Sequence, residues 1–540
     1  MLKSLILQAL GRERAGQTLP QAEAAGALLE SGLEQHARGN AAQARADFER
    51  AAALDLRSAR ARFYLGNLAH EDRRYEDAVA LYRAALDIDD SDAALHYNLG
   101  WALMSCHEAA DAVDAYRRAL VALPDYAAAL ASLQFALYFS ERVGPDEIYA
   151  EHRRWAARCA DPLQPACASL RWLNPAEPQR RLRVAYVSPY FYDQPVAYFI
   201  EPLLAHHDRS AFELFLYSDV AQPDALTRRL RGRADHWREM RGVDDAKFCE
   251  QVRADRIDIL VDLTGHNAHH RLLAFARRPA PLQVSYLAPN TTGMRAMDYR
   301  ISDHLADPPG AEAFYSEQLL RLPRAQWAYR PPEAMPEPGP LPALAKGYVT
   351  FGSFNSPLKL NAATMGLWAE LLARVPASRL QVLGVASPER VARLRQPLLA
   401  RGIAPERVSF LPHPPYERYW DTYRSVDIAL DSYPFNGVTT TLGCLWMGLP
   451  VVSLSGAASV SRFGASLLGH FGAPQWLGQD SAGFVDAAVR LALDTAALAR
   501  TRSELRARLL ASPLLDGASL ARDIESAYRG IWQDWCRRQA

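Results

Sequence analysis

Thirty-four residues separate Gly32 from Gly66, and thirty-four more reach Gly100. The same step joins Ala44, Ala78 and Ala112, and it joins Phe48, Tyr82 and Tyr116. A small residue lets two helices touch and an aromatic fills the seam, so this period specifies a stack of helical hairpins. One such hairpin cannot bury its apolar face alone. The stretch 26–140 is therefore expected to form an array in which neighbours share a core. Pro124, just past one second helix, stands where proline cannot continue it.

A period of this length is the tetratricopeptide type, which holds extended peptides or other proteins. Three repeats are near the minimum for a stable stack, so residues 1–25 are read as a helical cap. The stretch 141–180, with Pro145, Pro162, Pro165, Pro175 and Pro178, reads as a helical connector. At RLRVAYVSPY (181–190) the period changes to a compact β run. FELFLYS (212–218), IDILVDLTG (257–265) and LQVSYLA (282–288) follow, separated by helix-like segments. This alternation predicts a parallel α/β sheet. A proline-rich passage at 330–344 marks a boundary, after which the alternation restarts with YVTFGSF, RLQVLG, VSFLP, VDIALDS and LPVVSLS. Two doubly wound lobes, 181–340 and 345–540, are expected to face each other across a ligand cleft.

Charge is balanced, with 61 basic and 61 acidic residues, so no global field for nucleic acid exists. The six cysteines are scattered without a C-x-x-C pair, which disfavours a metal site and a disulfide framework. The first residues lack a signal-peptide core and no run is long enough to span a membrane, so a soluble cytoplasmic protein is expected.

Chemistry concentrates in DIALDSYPFNGVTTTLGCLWMGLPVV (427–452). A strand ends near Asp431, a turn on Pro434, Asn436 and Gly437 follows, and Thr439, Thr440 and Thr441 open a helix. The N–H groups and positive dipole end of that helix suit a phosphate; the bland alternative is N-capping by threonine. In TFGSFNSPLKL (350–360), Lys359 could neutralise a leaving diphosphate or be an ordinary surface charge. In ILVDLTGHNAHHRLL (259–273), Asp262, Gly265 and His266 could line a site. Asp303 and Asp307 in YRISDHLADPPG could pass for a general-base pair but read first as turn caps.

These segments, in order over 181–530, resemble family 41 of the glycosyltransferases, the O-GlcNAc-transferase-like and SPINDLY-like proteins. The matching pieces include RVAYVSPYFYDQPVAYFIEPLL, MDYRISDHLADPPG, SRFGASLL and SPLLDG. The resemblance implies an α plus α/β chain: tetratricopeptide repeats, then a GT-B pair of Rossmann-like lobes. It implies an inverting transfer from a nucleotide sugar, UDP-N-acetylglucosamine first, to a protein or peptide hydroxyl held by the repeats. No metal and no cofactor beyond the nucleotide-sugar co-substrate are implied. Lys359 matches the family lysine on the diphosphate, and Thr439, Thr440 and Thr441 match the helix start that cradles it, beside Asn436 and Gly437. The implied catalytic set is Lys359, Gln194 and His266, with Asn290, Thr291 and Asp262 on the donor. Repeat arrays of the family sometimes dimerise, which leaves a homodimer open.

The chain departs from the family pattern at the sugar and ribose end. Gln194 occupies a histidine position, Tyr190 an acidic one, and Gly443 the position of a ribose-holding acid; Tyr416 replaces a basic residue. The loop YLAPNTTG is one residue shorter than its family counterpart and lacks two glycines. Three readings stay open: the usual reaction with another proton route, a transferase with a different donor or acceptor (an asparagine or a flagellar protein included), and a non-catalytic scaffold.

Overall fold

The structure, a computed structural model, describes residues 19–165, 172–332 and 335–539. Residues 1–18 of the expected cap, Cys167, and Glu333 and Ala334 of the proline-rich passage lie outside the described residues, as does the side chain of Tyr416. The chain divides into two compact units, 1–136 and 137–540.

The first unit consists of paired helices: Leu19–Ala37 with Ala41–Leu54, Ala59–Glu71 with Tyr75–Leu86, and Ala93–Ser105 with Ala109–Ala122. The 34-residue period has a direct steric cause. A Cβ built on Gly32, Gly66 or Gly100 would lie 2.4, 2.5 or 2.6 Å from the ring of Phe48, Tyr82 or Tyr116. Each glycine is the seat of its own hairpin's aromatic. Gly66→Ala gains helix propensity worth about 1 kcal/mol but overpacks the seam at a cost of about 1–3 kcal/mol. A net loss is expected, read as faster amide exchange over 59–86; unchanged protection would show that the seam accepts a methyl group.

The second unit holds two parallel sheets. The first contains β1 (Leu182–Ser188), β2 (Phe212–Ser218), β3 (His236–Glu239), β4 (Ile259–Asp262), β5 (Leu282–Ser285), β6 (Tyr299–Asp303) and β7 (Gln318–Leu322), in the order β3-β2-β1-β4-β5-β6-β7. The second contains β8 (Thr350–Ser353), β9 (Arg379–Leu383), β10 (Val408–Leu411), β11 (Ile428–Leu430), β12 (Val451–Leu454) and β13 (Leu477–Gly478), in the order β10-β9-β8-β11-β12-β13. Both are the doubly wound order in which the chain reverses direction beside its first strand. The switch points therefore lie between β1 and β4, and between β8 and β11. Strands β3, β6, β7 and β13 were not expected from the apolar runs; β3, with the sequence HWRE, carries too much charge to show as one.

The final helix, Gly517–Gln539, belongs to the second lobe by sequence order, yet Leu520, Ile524, Tyr528, Ile531 and Trp532 complete the core of the first. Trp532 stacks on Trp535 with centroids 4.6 Å apart and donates its indole N–H to Glu177 O at 3.0 Å. Both tryptophans are core anchors. The turn after β6 joins the lobes directly. Asp303 accepts Leu305 N–H and Ala306 N–H as a turn cap, and its other oxygen accepts Ser466 Oγ at 2.7 Å from the second lobe. Arg462 of that lobe donates to Leu305 O and Ala306 O.

Candidate active site

The two switch points are built alike. Asp262 ends β4 and Asp431 follows β11, the equivalent strand of the second sheet. Each buried carboxylate holds the loop that follows it: Asp262 accepts Thr264 N–H and Gly265 N–H at 3.1 and 2.8 Å. Asp431 accepts Gly437 N–H at 2.6 Å, Ser453 Oγ at 2.6 Å and Asn355 Nδ2 at 3.0 Å. Burial pushes the Asp262 carboxyl up to about 6 and raises Asp431 as well. Asp262 is thus turned toward its own loop backbone, and neither carboxylate stands free as a base.

Around Asp431 the sequence-predicted phosphate residues converge. Lys359, in the short turn Pro357–Lys359 after β8, donates its ammonium to Asn436 O at 2.8 Å and lies 3.8 Å from the centroid of the Phe435 ring. Burial pulls its pKa down to about 8, against an opposing pull from Asp431. The Asn436 carboxamide is buried and spent on the loop, donating to Ser432 O and Leu454 O and accepting Gly464 N–H. A Cβ on Gly437 would lie 2.8 Å from Asn355 Oδ1 and 2.9 Å from Thr441 Oγ1, so only glycine fits there. The helix Thr439–Trp446 has Val438 as its N-cap and no side-chain cap; Thr441 Oγ1 donates back to Gly437 O at 3.1 Å. The threonine run therefore does not cap the helix, and no side-chain cap meets the N–H groups of its first turn. Asn355, Phe435 and Ser453 were not singled out from the sequence, and Asp431 only as the end of a strand.

In the first lobe, His266 is buried and shares a hydrogen bond of 2.9 Å with Thr292 O, so Nε2 carries the proton. Its ring meets Trp155 at 4.5 Å and His152 at 4.7 Å, edge to face. Burial holds its pKa well below the usual range, which keeps it neutral. His266 thus ties the loop after β4 to the 288–293 loop through the Thr292 carbonyl. Asn290 O accepts Arg300 Nη1 at 3.0 Å, Thr291 Oγ1 donates to Glu317 Oε2 at 2.5 Å, and Thr292 N–H donates to Glu317 Oε1 at 2.6 Å. Thr291 is thereby engaged with Glu317, and Arg300 and Glu317 are loop-holding residues that sequence reasoning missed. Gln194 begins the helix Pro195–His206 beyond β1, half-buried and without a side-chain cap bond. Among the described residues no hydrogen bond joins it to the Lys359 cluster. Tyr190 donates to Ala268 O at 2.8 Å, tying the loop after β1 to the loop after β4.

The family model described as glycosyl transferase family 41 matches residues 154–328 and 341–524. The chain belongs to family 41. A tetratricopeptide-repeat model also matches residues 74–105. Among relatives of this family 41 chain, a probable UDP-N-acetylglucosamine–peptide N-acetylglucosaminyltransferase SPINDLY of Solanum lycopersicum is 40% identical over 402 residues, covering 72% of this chain and 42% of the relative. The corresponding protein of Oryza sativa subsp. japonica is 39% identical over 436 residues, covering 78% and 46%. The chain thus spans less than half the length of these relatives. A lysine-to-methionine variant of Thermobaculum terrenum O-GlcNAc transferase superposes with a TM-score of 0.80 and 38% identity, over 97% of this chain and all of that one.

Five described cysteines are free thiols, and among the described residues no group of three or more His, Cys, Asp or Glu is placed to hold a metal ion. No helix of the described residues is long and apolar enough to cross a membrane.

Proposed function

We propose that this chain is an inverting glycosyltransferase that moves N-acetylglucosamine from UDP-N-acetylglucosamine to a hydroxyl of a protein or peptide in the cytoplasm. The observation that carries the reading is the cradle in the second lobe. A half-buried lysine and an uncapped helix start converge at a switch point, next to a glycine that admits no side chain. In the transition state the anomeric bond to the diphosphate lengthens, and negative charge grows on the departing oxygen. The Lys359 ammonium and the N–H groups of the helix Thr439–Trp446 are fixed donors for that charge, and protein alone can supply the stabilisation. The Phe435 face and the Asn436 carbonyl aim the ammonium before the donor arrives. The acceptor would be held by the repeats, as arrays of this period hold peptides.

Calorimetry and thermal shift with UDP, GDP, dTDP and CMP and their sugars, on wild type and Lys359→Ala, test the reading. UDP is expected to stabilise wild type and to lose most of that effect in the variant. The other nucleotides belong in the panel because Gly443, one turn into the helix, faces the Trp420 ring; its missing Cβ would lie 3.5 Å from it. Lysine-dependent binding of another nucleotide would change the donor, and equal stabilisation of both proteins would remove the cradle from the reaction.

The lowered pKa of Lys359 sets a pH dependence. Diphosphate favours the ammonium form, so affinity is full while the free protein's Lys359 is protonated. It should fall as pH rises through about 8, by up to tenfold per pH unit. Calorimetric titrations in buffers of different ionisation heat should also show proton uptake on binding above that pH. Flat affinity between pH 7 and 9 would contradict the assignment.

A further inference from the structure

The segment 137–160 follows the repeats in the chain and packs against both loops that form the cleft. Tyr138 and Phe139 are buried, and their rings lie 6.4 and 5.2 Å from the Phe435 ring, which Phe463 meets at 6.1 Å. Phe435 is the residue whose face receives the Lys359 ammonium, and the next carbonyl, Asn436 O, accepts its hydrogen bond. Further along the same segment, in the helix Pro145–Trp155, His152 and Trp155 abut His266. Arg153 donates to Gly293 O. A Cβ on Gly293 would lie 2.4 Å from His152 O, so helix backbone and loop backbone are in direct contact.

We infer that this connector is part of the scaffolding of the donor site, and that Phe139 is a positioning residue for Lys359, acting through Phe435. The inference rests on the reading of Lys359 as the diphosphate ligand. Phe435 presents an aromatic face to the lysine, and the residue after it, Asn436, supplies the carbonyl that accepts the ammonium's hydrogen bond. A ring free to rotate would not offer that face in a fixed place. Tyr138, Phe139 and Phe463 all pack against Phe435, so its orientation is decided by packing. The Phe435 face covers one side of the half-buried ammonium, so a displaced ring would admit water there. The charged group facing Lys359 is Asp431, after β11. On the neighbouring elements, His413 meets Pro357 across Gly384, and Arg390 of the helix Pro388–Leu399 donates to Pro357 O and Leu360 O.

The test is UDP affinity by calorimetry from pH 7 to 9 for wild type, Phe139→Leu, Phe139→Ala and Lys359→Ala, with melting temperatures beside them. In Phe139→Ala, water reaches the ammonium, and the pH at which affinity falls should rise by about half a pH unit or more. Affinity at pH 7 should drop about three- to tenfold as the ammonium loses its fixed place. Phe139→Leu, which keeps the packing, should restore both. A lower melting temperature with an unmoved pH midpoint would make Phe139 structural only and overturn the inference. Should the alanine variant not fold, Phe139→Val carries the same comparison. Wild-type UDP binding that is unaffected by Lys359→Ala would overturn the diphosphate reading itself, and the inference with it; the Lys359→Ala curve separates the two failures.

Discussion

Replacing Lys359 with alanine should lower sugar transfer by about 10²–10³-fold while leaving the lobes folded, the size of effect seen when one preorganised donor to a developing negative charge is removed. The expectation follows from where the ammonium is held. It is anchored at 2.8 Å on Asn436 O and against Phe435, at the end of a lobe whose helix start offers further N–H groups but no second ammonium. Stability should change little, because two effects oppose. Alanine leaves Asn436 O without its donor, a cost of about 1–3 kcal/mol, but it also relieves the burial of a charge, which already shows as a depressed pKa. Arginine is not a substitute: a planar guanidinium cannot occupy the point over the Phe435 ring and bond Asn436 O in the same geometry. The measurement is initial transfer rate at saturating acceptor, with circular dichroism and melting temperature as controls. Turnover within threefold of wild type would detach Lys359 from the chemistry.

What could be read from sequence was what local rules enforce. Gly32, Gly66 and Gly100 each meet an aromatic sixteen positions on, in the same hairpin, so the repeat is a local packing rule and its period survives as a pattern. The strands that the apolar runs revealed are β1, β2, β4, β5 and β8 to β12, mostly buried central ones; the edge strand β10 shows because three of its four residues are apolar. Edge strand β3 is half-exposed, so its charged residues hide it. Lys359 and the 436–441 turn were found because each carries a phosphate-compatible pattern of its own; their contact across 77 positions is a product of the sheet order. Long-range choices without a local signature were not legible. Nothing in TGHNAHH tells that Trp155 and His152 will cover His266 and keep it neutral. Nothing in SEQLLRL tells that Glu317 will hold Thr291 and Thr292. The amphipathic pattern of 517–539 shows that a face will be buried, and the lobe that buries it is fixed only when the chain is complete.

Gly293→Ala should be among the most damaging single-methyl changes in the second unit, and it separates backbone strain from contact with the connector. Gly293 has φ of +73°, a left-handed conformation that costs an alanine about 1–2 kcal/mol by itself. Gly310 shares that condition with φ of +97°, but a Cβ there would meet nothing within 4 Å. At Gly293 the added methyl would lie 2.4 Å from His152 O, 2.5 Å from His152 C and 3.0 Å from Arg153 N, all backbone atoms of a helix that cannot rotate aside. Either the loop 288–293 or the helix Pro145–Trp155 must withdraw. Withdrawal breaks the Arg153 bond to Gly293 O and disturbs the Thr292 carbonyl that holds His266. Gly310→Ala is therefore expected to cost about 1–2 kcal/mol with normal transfer. Gly293→Ala is expected to cost roughly 3 kcal/mol or more, with transfer reduced at least tenfold in whatever protein stays folded. Denaturant midpoints and transfer rates of the two variants, compared side by side, decide the matter. If Gly293→Ala proves no worse than Gly310→Ala, the connector does not bear on the loop, and the loop must owe its shape to Arg300 and Glu317 alone.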